Sequence, residues 1–209
     1  TPPSAFAVRL SKIVIKEADL RYDDQKGKMF ADVRGFNFKG GGDMSNDQFD
    51  FDTHTFIQAL TVRMDNATYA NKLQIEADVN LGVDQKKKRY TFNDNKFRFN
   101  DLRLGFNGFV ETPNDKDIVM NVDFRALETR FKNILSLVPG VFTKDFENIR
   151  TDGVLALDGK ASGTYNDQST PAFSLNLKVK DGYLQYPDLP APVKNINIDF
   201  SAQNSTDKL

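Results

Sequence analysis

The sequence of 209 residues has no cysteine, no tryptophan and a single histidine, His54. Without cysteine the chain cannot form a disulfide or a metal site with thiolate ligands. With one histidine, general acid–base catalysis would depend on carboxylates or lysines, and none of these stands in a recognisable catalytic motif. Nucleotide-binding and zinc-binding motifs are missing as well. We therefore predict no catalytic residue, no metal site and no cofactor.

Long apolar runs and an excess of one charge are also missing. No segment reaches the minimum of about 18 consecutive apolar residues that a membrane-spanning helix needs. The chain carries 28 lysines and arginines against 29 aspartates and glutamates, a net charge of -1. This balance gives no broad attraction to nucleic acid, so we predict no nucleic-acid partner. The chain opens with Thr1-Pro2-Pro3-Ser4 rather than with methionine, which is typical of an excised domain or a mature fragment.

Alternation of apolar and polar residues is what the sequence does contain. Hydrophobic residues make up 39% of the chain, and they include 18 phenylalanines. They alternate with polar residues in segments 49–57, 73–81, 118–124 and 173–179, which is the pattern of strands with one buried face. The phase of this alternation slips near Ala59, which predicts a β-bulge that bends the sheet. We predict a mainly β fold with about eleven to thirteen strands.

Glycine, asparagine and aspartate predict the turns between these strands. The pair Asp181-Gly182 between two alternating runs is a strong signal for a tight hairpin. Further turns are predicted at Asp65-Asn66, Asn93-Asp94-Asn95 and Pro113-Asn114-Asp115. The run Gly40-Gly41-Gly42 predicts a flexible break rather than a phosphate-binding loop, because no helix pattern and no Lys-Ser or Lys-Thr pair follows it.

One segment has the periodicity of a helix rather than of a strand. Its apolar residues recur at the spacing of one helix face. These residues are Phe131, Ile134, Leu135 and Val138. Thr129 is the predicted N-cap, and Pro139-Gly140 is the predicted end. With a second short turn predicted over 143–149, we expect one short helical hairpin around residues 129–149 that packs on the sheet.

A pattern of turn, aromatic strand, polar break and longer strand occurs three times along the chain. The copies begin with Ala18-Asp19-Leu20-Arg21-Tyr22-Asp23-Asp24, Asp94-Asn95-Lys96-Phe97-Arg98-Phe99-Asn100 and Asp181-Gly182-Tyr183-Leu184-Gln185-Tyr186-Pro187-Asp188. They lie near residues 18–38, 94–110 and 181–200 and recur roughly every 75 to 90 residues, so each repeat contains several strands. We predict a single β-rich domain over residues 1–209, built from about three β repeats.

Two polar features allow a binding role beside a structural one. A catalytic dyad or metal site at His54 would use Asp50 or Asp52 on the same polar strand face, whereas the simpler interpretation is a solvated histidine. The basic run Lys86-Lys87-Lys88-Arg89 fits contact with lipid headgroups, or a solvated hairpin tip. In both cases the simpler interpretation is favoured.

The apolar strand faces leave two alternatives open. They form either the filled core of a β-sandwich or the lining of an open groove along one bent sheet, since both arrangements use alternate residues. An open apolar groove is unfavourable in water unless something binds there, and acyl chains need apolar contact without specific polar recognition. The single helix would then cap the groove. The candidate lining residues are Leu73, Ile75, Val79, Phe97, Phe99, Leu104, Phe106, Leu155, Leu157, Phe173, Leu175, Leu177, Ile196 and Ile198.

A group of motifs, densest in the later part of the chain, carries a family resemblance. The motifs are Ile134-Leu135-Ser136-Leu137-Val138-Pro139-Gly140-Val141-Phe142-Thr143-Lys144-Asp145-Phe146-Glu147, Gly153-Val154-Leu155-Ala156-Leu157-Asp158-Gly159, Gly163-Thr164-Tyr165, Pro171-Ala172-Phe173, Tyr183-Leu184-Gln185-Tyr186-Pro187-Asp188-Leu189-Pro190 and Asn195-Ile196-Asn197-Ile198-Asp199. Together they resemble the AsmA family of envelope proteins. The likeness covers most of the chain, and its motifs are turns, strand ends and a helix, which are specific to a fold rather than to a reaction.

The resemblance implies a non-enzymatic protein of the Gram-negative cell envelope that takes part in outer-membrane assembly. Its bulk would lie in the periplasm, held to the inner membrane by an N-terminal helix that is absent from this sequence. Members of the wider group, which includes TamB-like proteins, are thought to form long β-grooves that carry phospholipid between membranes.

These implications set the expectations for fold and partners. We expect a long, twisted and curved antiparallel sheet, either a β-groove or an open sandwich, with the short helical hairpin described above. The expected partners are phospholipid acyl chains and outer-membrane assembly proteins, and membrane contact would run through the missing anchor. The alternative is a β-sandwich scaffold that binds envelope assembly partners without lipid transport.

Overall fold

Ten strands form one antiparallel sheet in the computed structural model of the protein. The structure describes residues 12–65, 67–127, 130–137, 148–187 and 190–204. The strands follow one another across the sheet in sequence order, and the first and last strands do not pair, so the sheet is open. The prediction of a mainly β fold with a long antiparallel sheet is confirmed. That residues 1–209 form a single domain stays a prediction.

The element bounds show that most strands are long. The strands are β1 (Ile13–Asp24), β2 (Met29–Gly42), β3 (Gln48–Met64), β4 (Ala67–Asp84), β5 (Arg89–Phe99), β6 (Leu102–Glu111), β7 (Ile118–Ala126), β8 (Arg150–Tyr165), β9 (Ala172–Gln185) and β10 (Val193–Asn204). In the described part of the chain one helix is present, α1 (Phe131–Leu135), between β7 and β8.

The cross-strand register aligns apolar residues with apolar residues, and polar with polar, from each strand to the next. Residues directly opposite each other in an antiparallel pair point to the same face. One row runs through Phe38, Thr55, Ala77, Phe97 and Leu104, and it defines the apolar face. The neighbouring row runs through Lys39, His54, Asp78 and Lys96, and it defines the polar face. The sheet therefore presents one apolar and one polar surface.

Bulges interrupt the register at several places. The predicted bulge near Ala59 is confirmed, since the pairing of β3 with β4 shifts between Ile57 and Leu60. The shift moves Leu60 onto the same face as Ile57, although the two residues are three positions apart. Bulges of this kind bend a strand and increase its twist, so each of them introduces a local bend into the sheet.

The sequence repeat corresponds to one repeated bulge. In each copy, three residue steps on the first strand of a hairpin match two steps on the second. The steps are Ile15 to Ala18 against Phe38 to Phe36, Phe92 to Asn95 against Gly108 to Phe106, and Val179 to Gly182 against Ile198 to Ile196. The three copies therefore occupy equivalent hairpins, β1–β2, β5–β6 and β9–β10.

Each repeated bulge contains a residue with positive φ whose amide is bonded by an asparagine. The residues are Glu17, Asp94 and Asp181, with φ of 48°, 49° and 53°. Their N–H groups donate to Oδ1 of Asn37, Asn107 and Asn197 at 3.2, 2.7 and 3.1 Å. A bulge leaves its extra residue outside the ladder, and an unpaired amide is costly. The asparagine on the next strand supplies the missing acceptor.

Several predicted turns are wrong because their residues lie inside strands. Asp181-Gly182 does not form a hairpin but a bulge within β9, and Asn93-Asp94-Asn95 lies within β5. Aspartate and glycine tolerate the left-handed region in bulges as they do in turns, so the same residues suit both. Gly40-Gly41-Gly42 is not a break, because it pairs with β3. These segments explain why the described residues form ten strands rather than eleven or more.

The helix is shorter than predicted. It begins after Arg130, whose side chain makes no capping hydrogen bond, and it ends at Leu135. The predicted cap Thr129, the residue Val138 and the second turn up to residue 147 lie outside the described residues. The prediction that the helix packs on the sheet is correct, since α1 contacts β8 and β6.

An exposed carboxylate supports the next register shift of β1 and β2, between Ala18 and Leu20, from the polar face. Asp19 Oδ1 accepts a hydrogen bond from the Gly35 amide at 2.9 Å, and Arg34 Nη1 lies 3.0 Å from Asp19 Oδ2. The amide bond first and the guanidinium second lower the pKa of Asp19 below its ordinary value. The ionised carboxylate therefore stabilises the fold.

Removal of a bulge acceptor should destabilise the sheet. We expect Asn107→Ala to lower the free energy of unfolding by about 1 kcal/mol, because the Asp94 amide loses its only acceptor in the described structure. Urea unfolding followed by circular dichroism measures the change. The control is Asn121→Ala on the polar face of β7, which should stay within about 0.5 kcal/mol of the wild type. Equal losses in both variants would contradict this role of Asn107.

The contribution of Asp19 should depend on pH. A carboxylate with a lowered pKa in the folded state stabilises the fold above its unfolded value of about 3.9, and this stability is lost as the pH falls through the folded value. We expect Asp19→Asn to lower the urea midpoint slightly at pH 7 and to leave it unchanged near pH 2. A difference of the same size at both pH values would show that charge plays no part.

Candidate functional site: the apolar face of the sheet

All of the predicted lining residues lie on the apolar face. The pairs Ile75 with Phe99 and Phe97 with Leu104 join the strands in the middle of the sheet. Leu155 pairs with Val179, and Leu157 pairs with Leu177, which extends the face to β9. The pairing between neighbouring strands places the following predicted lining residues on this face: Leu73, Ile75, Val79, Phe97, Phe99, Leu104, Phe106, Leu155, Leu157, Phe173, Leu175, Leu177, Ile196 and Ile198. Their role in binding lipid stays a prediction.

The apolar face is continuous across the sheet. At about 4.8 Å between neighbouring strands, ten strands span roughly 43 Å from β1 to β10. No second sheet covers this face in the described ranges. The alternative of a filled sandwich core is therefore wrong for this part of the chain, because a sandwich needs two packed sheets.

Four large apolar side chains of this region are buried together in one cluster. The buried cluster consists of Leu102, Phe131, Leu155 and Val179. All four have exposed fractions of 5% or less. Large apolar side chains on both sides of this cluster stay exposed. Towards β1 these are Leu20, Tyr22, Met29 and Met64, and towards β10 they are Phe173, Ile198 and Phe200. The open apolar surface therefore flanks a single covered patch.

Helix α1 produces that covered patch. Phe131 inserts into the buried cluster, and Ile134 and Leu135 pack beside it. Asn100 Nδ2 donates to the backbone oxygen of Ser136 at 2.7 Å, and the Asp101 amide donates to Ser136 Oγ at 3.3 Å. The β5–β6 turn thus holds the end of the helix over the sheet, so α1 caps part of the face and leaves the remainder open.

The phenylalanines of the two faces have different surroundings. On the apolar face, the Phe106 ring lies edge-on to Phe92 and Phe97, with centroid distances of 5.1 and 5.9 Å. On the polar face, the Arg63 guanidinium lies 4.2 Å from the Phe30 ring centre, and the Arg89 guanidinium lies 3.6 Å from that of Phe109. Arginine shields the exposed rings of the polar face. The rings of the apolar face contact one another instead.

His54 is on the polar face with a partner that sequence analysis missed. His54 Nδ1 lies 2.7 Å from Asp78 Oδ1, and the ring is 49% exposed. Asp50 and Asp52 lie on the same strand as His54, whereas Asp78 lies opposite it on β4, a position that only the register reveals. Among the described residues no group of three or more acidic, histidine or cysteine side chains could hold a metal ion. The pair is consistent with a solvated cross-strand contact.

The basic run is the tip of the β4–β5 hairpin. Lys86 Nζ lies 2.5 Å from Asp47 Oδ2 in the neighbouring hairpin. This contact raises the pKa of Lys86. Arg89 Nη1 lies 3.6 Å from Glu111 Oε2 on β6. Two of the four basic side chains are thereby paired within the protein, which favours the solvated hairpin tip over contact with lipid headgroups.

Asn95 is a residue that sequence analysis did not identify as part of the site. It lies on the apolar face opposite Phe106, yet only 1% of it is exposed. Its Oδ1 accepts a hydrogen bond from the Asn80 amide at 2.7 Å. Asparagine is common in turns, so an asparagine within a predicted turn gave no reason to assign it to the apolar face. Only the register of β5 with β6 shows that Asn95 lies among the phenylalanines.

Comparisons with known proteins do not assign this chain to a family. Neither a family model, nor a curated protein, nor a solved structure matches it. In the described ranges, none of the helical structure has the length and apolar character to cross a bilayer. The resemblance to the AsmA family therefore depends on the sequence motifs alone.

Truncation of Phe131 should release the helix from the sheet. We expect Phe131→Ala to lower the free energy of unfolding by about 3 kcal/mol, because it removes the aromatic member of the buried cluster. The matched control is Phe173→Ala on the same face, which is 44% exposed and should lose less than about 1 kcal/mol. Urea unfolding measures both changes. Similar losses in the two variants would show that α1 is not anchored by Phe131.

Proposed function

We propose that the apolar face binds phospholipid acyl chains and gives them a continuous path across the sheet. The observation that supports this proposal is the uncovered apolar surface on either side of α1. Soluble proteins rarely expose contiguous apolar patches beyond a few hundred Å², and larger patches mark binding sites. Acyl chains are the natural occupant of a long, smooth apolar strip, because they require apolar contact along their length.

The proposal includes a place in the cell. We infer a non-enzymatic AsmA-like protein of the Gram-negative envelope, located in the periplasm and anchored to the inner membrane. It would take part in outer-membrane assembly by carrying phospholipid between the two membranes. The sequence motifs and the open sheet support this inference together, since a one-layer sheet with one apolar face offers a path rather than a pocket.

A second candidate is an interaction scaffold, and the sheet edges favour it. The outer edges of β1 and β10 pair with no other strand of the described structure. Unpaired edge strands accept strands from other proteins by extending the sheet. In this alternative, envelope assembly partners dock along the edges and the apolar face carries no lipid.

Charges placed on the apolar face should abolish lipid binding. We expect the double variant Leu175→Asp, Leu177→Asp to lose nearly all crosslinking to a photoactivatable phospholipid, because two carboxylates would replace apolar contact in the strip. The matched control is Ser174→Asp, Ser201→Asp, which also adds two negative charges but places both carboxylates on the polar face, on β9 and β10.

The control separates lipid binding from general effects of negative charge. It should crosslink as the wild type does, and circular dichroism should show that both variants are folded. Undiminished crosslinking in the folded Leu175→Asp, Leu177→Asp variant would reject the apolar path and favour the scaffold.

A further inference from the structure

Asn95 presents a hydrogen-bond donor without a partner in the middle of the apolar face. Its Nδ2 is shielded from solvent and has no hydrogen-bond partner among the described residues. The orientation of the amide is fixed, because Oδ1 must face the Asn80 N–H that donates to it. Nδ2 is therefore the free end. A buried donor without an acceptor is unfavourable and requires an explanation.

The internal repeat shows that the fold does not require asparagine at this position. Ala18, Asn95 and Gly182 each follow the bulge residue with positive φ, and each lies opposite the apolar residue that precedes the bulge-capping asparagine. Two copies have a small residue without a polar side chain. The middle copy alone places an amide on the apolar face, so Asn95 is not explained by the bulge.

The surroundings of Asn95 are apolar and only partly covered. Its cross-strand partner is Phe106, which packs edge-on against Phe92 and Phe97. These rings are partly exposed rather than buried, so their rotation can expose the amide to a ligand on the face. A ligand that satisfies this site must be mostly apolar and must carry an acceptor oxygen within its apolar part.

We propose that Asn95 Nδ2 donates a hydrogen bond to the ester carbonyl of an acyl lipid lying on the apolar face. The proposal rests on the lipid-binding function proposed above and adds a position at which the lipid is held. An ester carbonyl is the acceptor that lies next to the hydrocarbon in a phospholipid. Asn95 thus distinguishes acyl esters from plain hydrocarbon and fixes one point of the ligand along the path.

The test compares an ester lipid with an ether lipid of the same length. The probes are dihexanoyl phosphatidylcholine and its dihexyl ether analogue, which lacks both carbonyl groups and keeps the phosphate. We expect the wild type to bind the ester about fivefold more tightly, the ratio typical of one net hydrogen bond. Asn95→Ala should remove this preference and leave binding of the ether lipid unchanged. Asn121→Ala on the polar face is the control and should keep the preference.

Infrared spectroscopy gives a second readout of the same bond. With a carbonyl-labelled ester lipid, the stretching band should lie at lower frequency on the wild type than on Asn95→Ala. Equal affinity of the wild type for the two lipids would overturn the assignment without any variant. If Asn95→Ala lowered the affinity for both lipids by the same factor, the assignment would also be overturned, because the acceptor would then be the phosphate that both lipids share. A loss of thermal stability without a change in lipid preference would show that Nδ2 interacts with a phenylalanine ring instead.

Binding of neither lipid would reject the lipid-binding function itself, and the assignment of Asn95 with it. Equal binding of both rejects the assignment alone. The two failures are therefore distinguishable in one experiment.

Discussion

The structure depends on keeping the side-chain phase of every strand in step across the sheet. A single sheet can have one apolar surface only if alternate residues of all strands point the same way, and a shift of one residue reverses a strand. The bulges meet this constraint. At each repeated bulge an extra residue with positive φ restores the phase, so that Ile15 and Ala18 point to the same side. The asparagine on the next strand accepts a hydrogen bond from the amide of this extra residue, so the bulge does not leave that amide unpaired.

The open sheet has consequences for how stability is distributed. In the described ranges the cluster of buried apolar side chains lies under α1, and large apolar residues towards β1 and β10 are exposed. The polar face is held by short cross-strand contacts such as Arg98 with Glu76 at 2.6 Å. Hydrogen-bonded ladders and side-chain pairs between strands therefore hold the sheet together in most places. The surface where packing is weakest is also the one proposed to bind lipid.

Alternation in the sequence was sufficient to predict the β fold, the bulge near Ala59 and the face to which the lining residues belong. Alternation determines which side a residue occupies, and that needs no knowledge of its neighbours. The prediction of a hairpin at Asp181-Gly182 was wrong because the left-handed conformation that these residues permit occurs in bulges as well as in turns. Two features could not be predicted in this way: the contact of His54 with Asp78, and the position of Asn95 among phenylalanines. Both depend on the register between strands, which cannot be read from any single segment of the sequence.

The order of the strands in space is the order of the strands in the chain, and this has a consequence for assembly. Every strand pairs with its immediate neighbours in sequence. Such a chain behaves nearly as a one-dimensional system, in which each unit is stabilised by the unit next to it. The sheet can grow from a single hairpin by adding one strand at a time as the polypeptide emerges, without waiting for distant segments. A gene for such a protein can lengthen or shorten it by whole hairpin units while the remaining strands keep their partners.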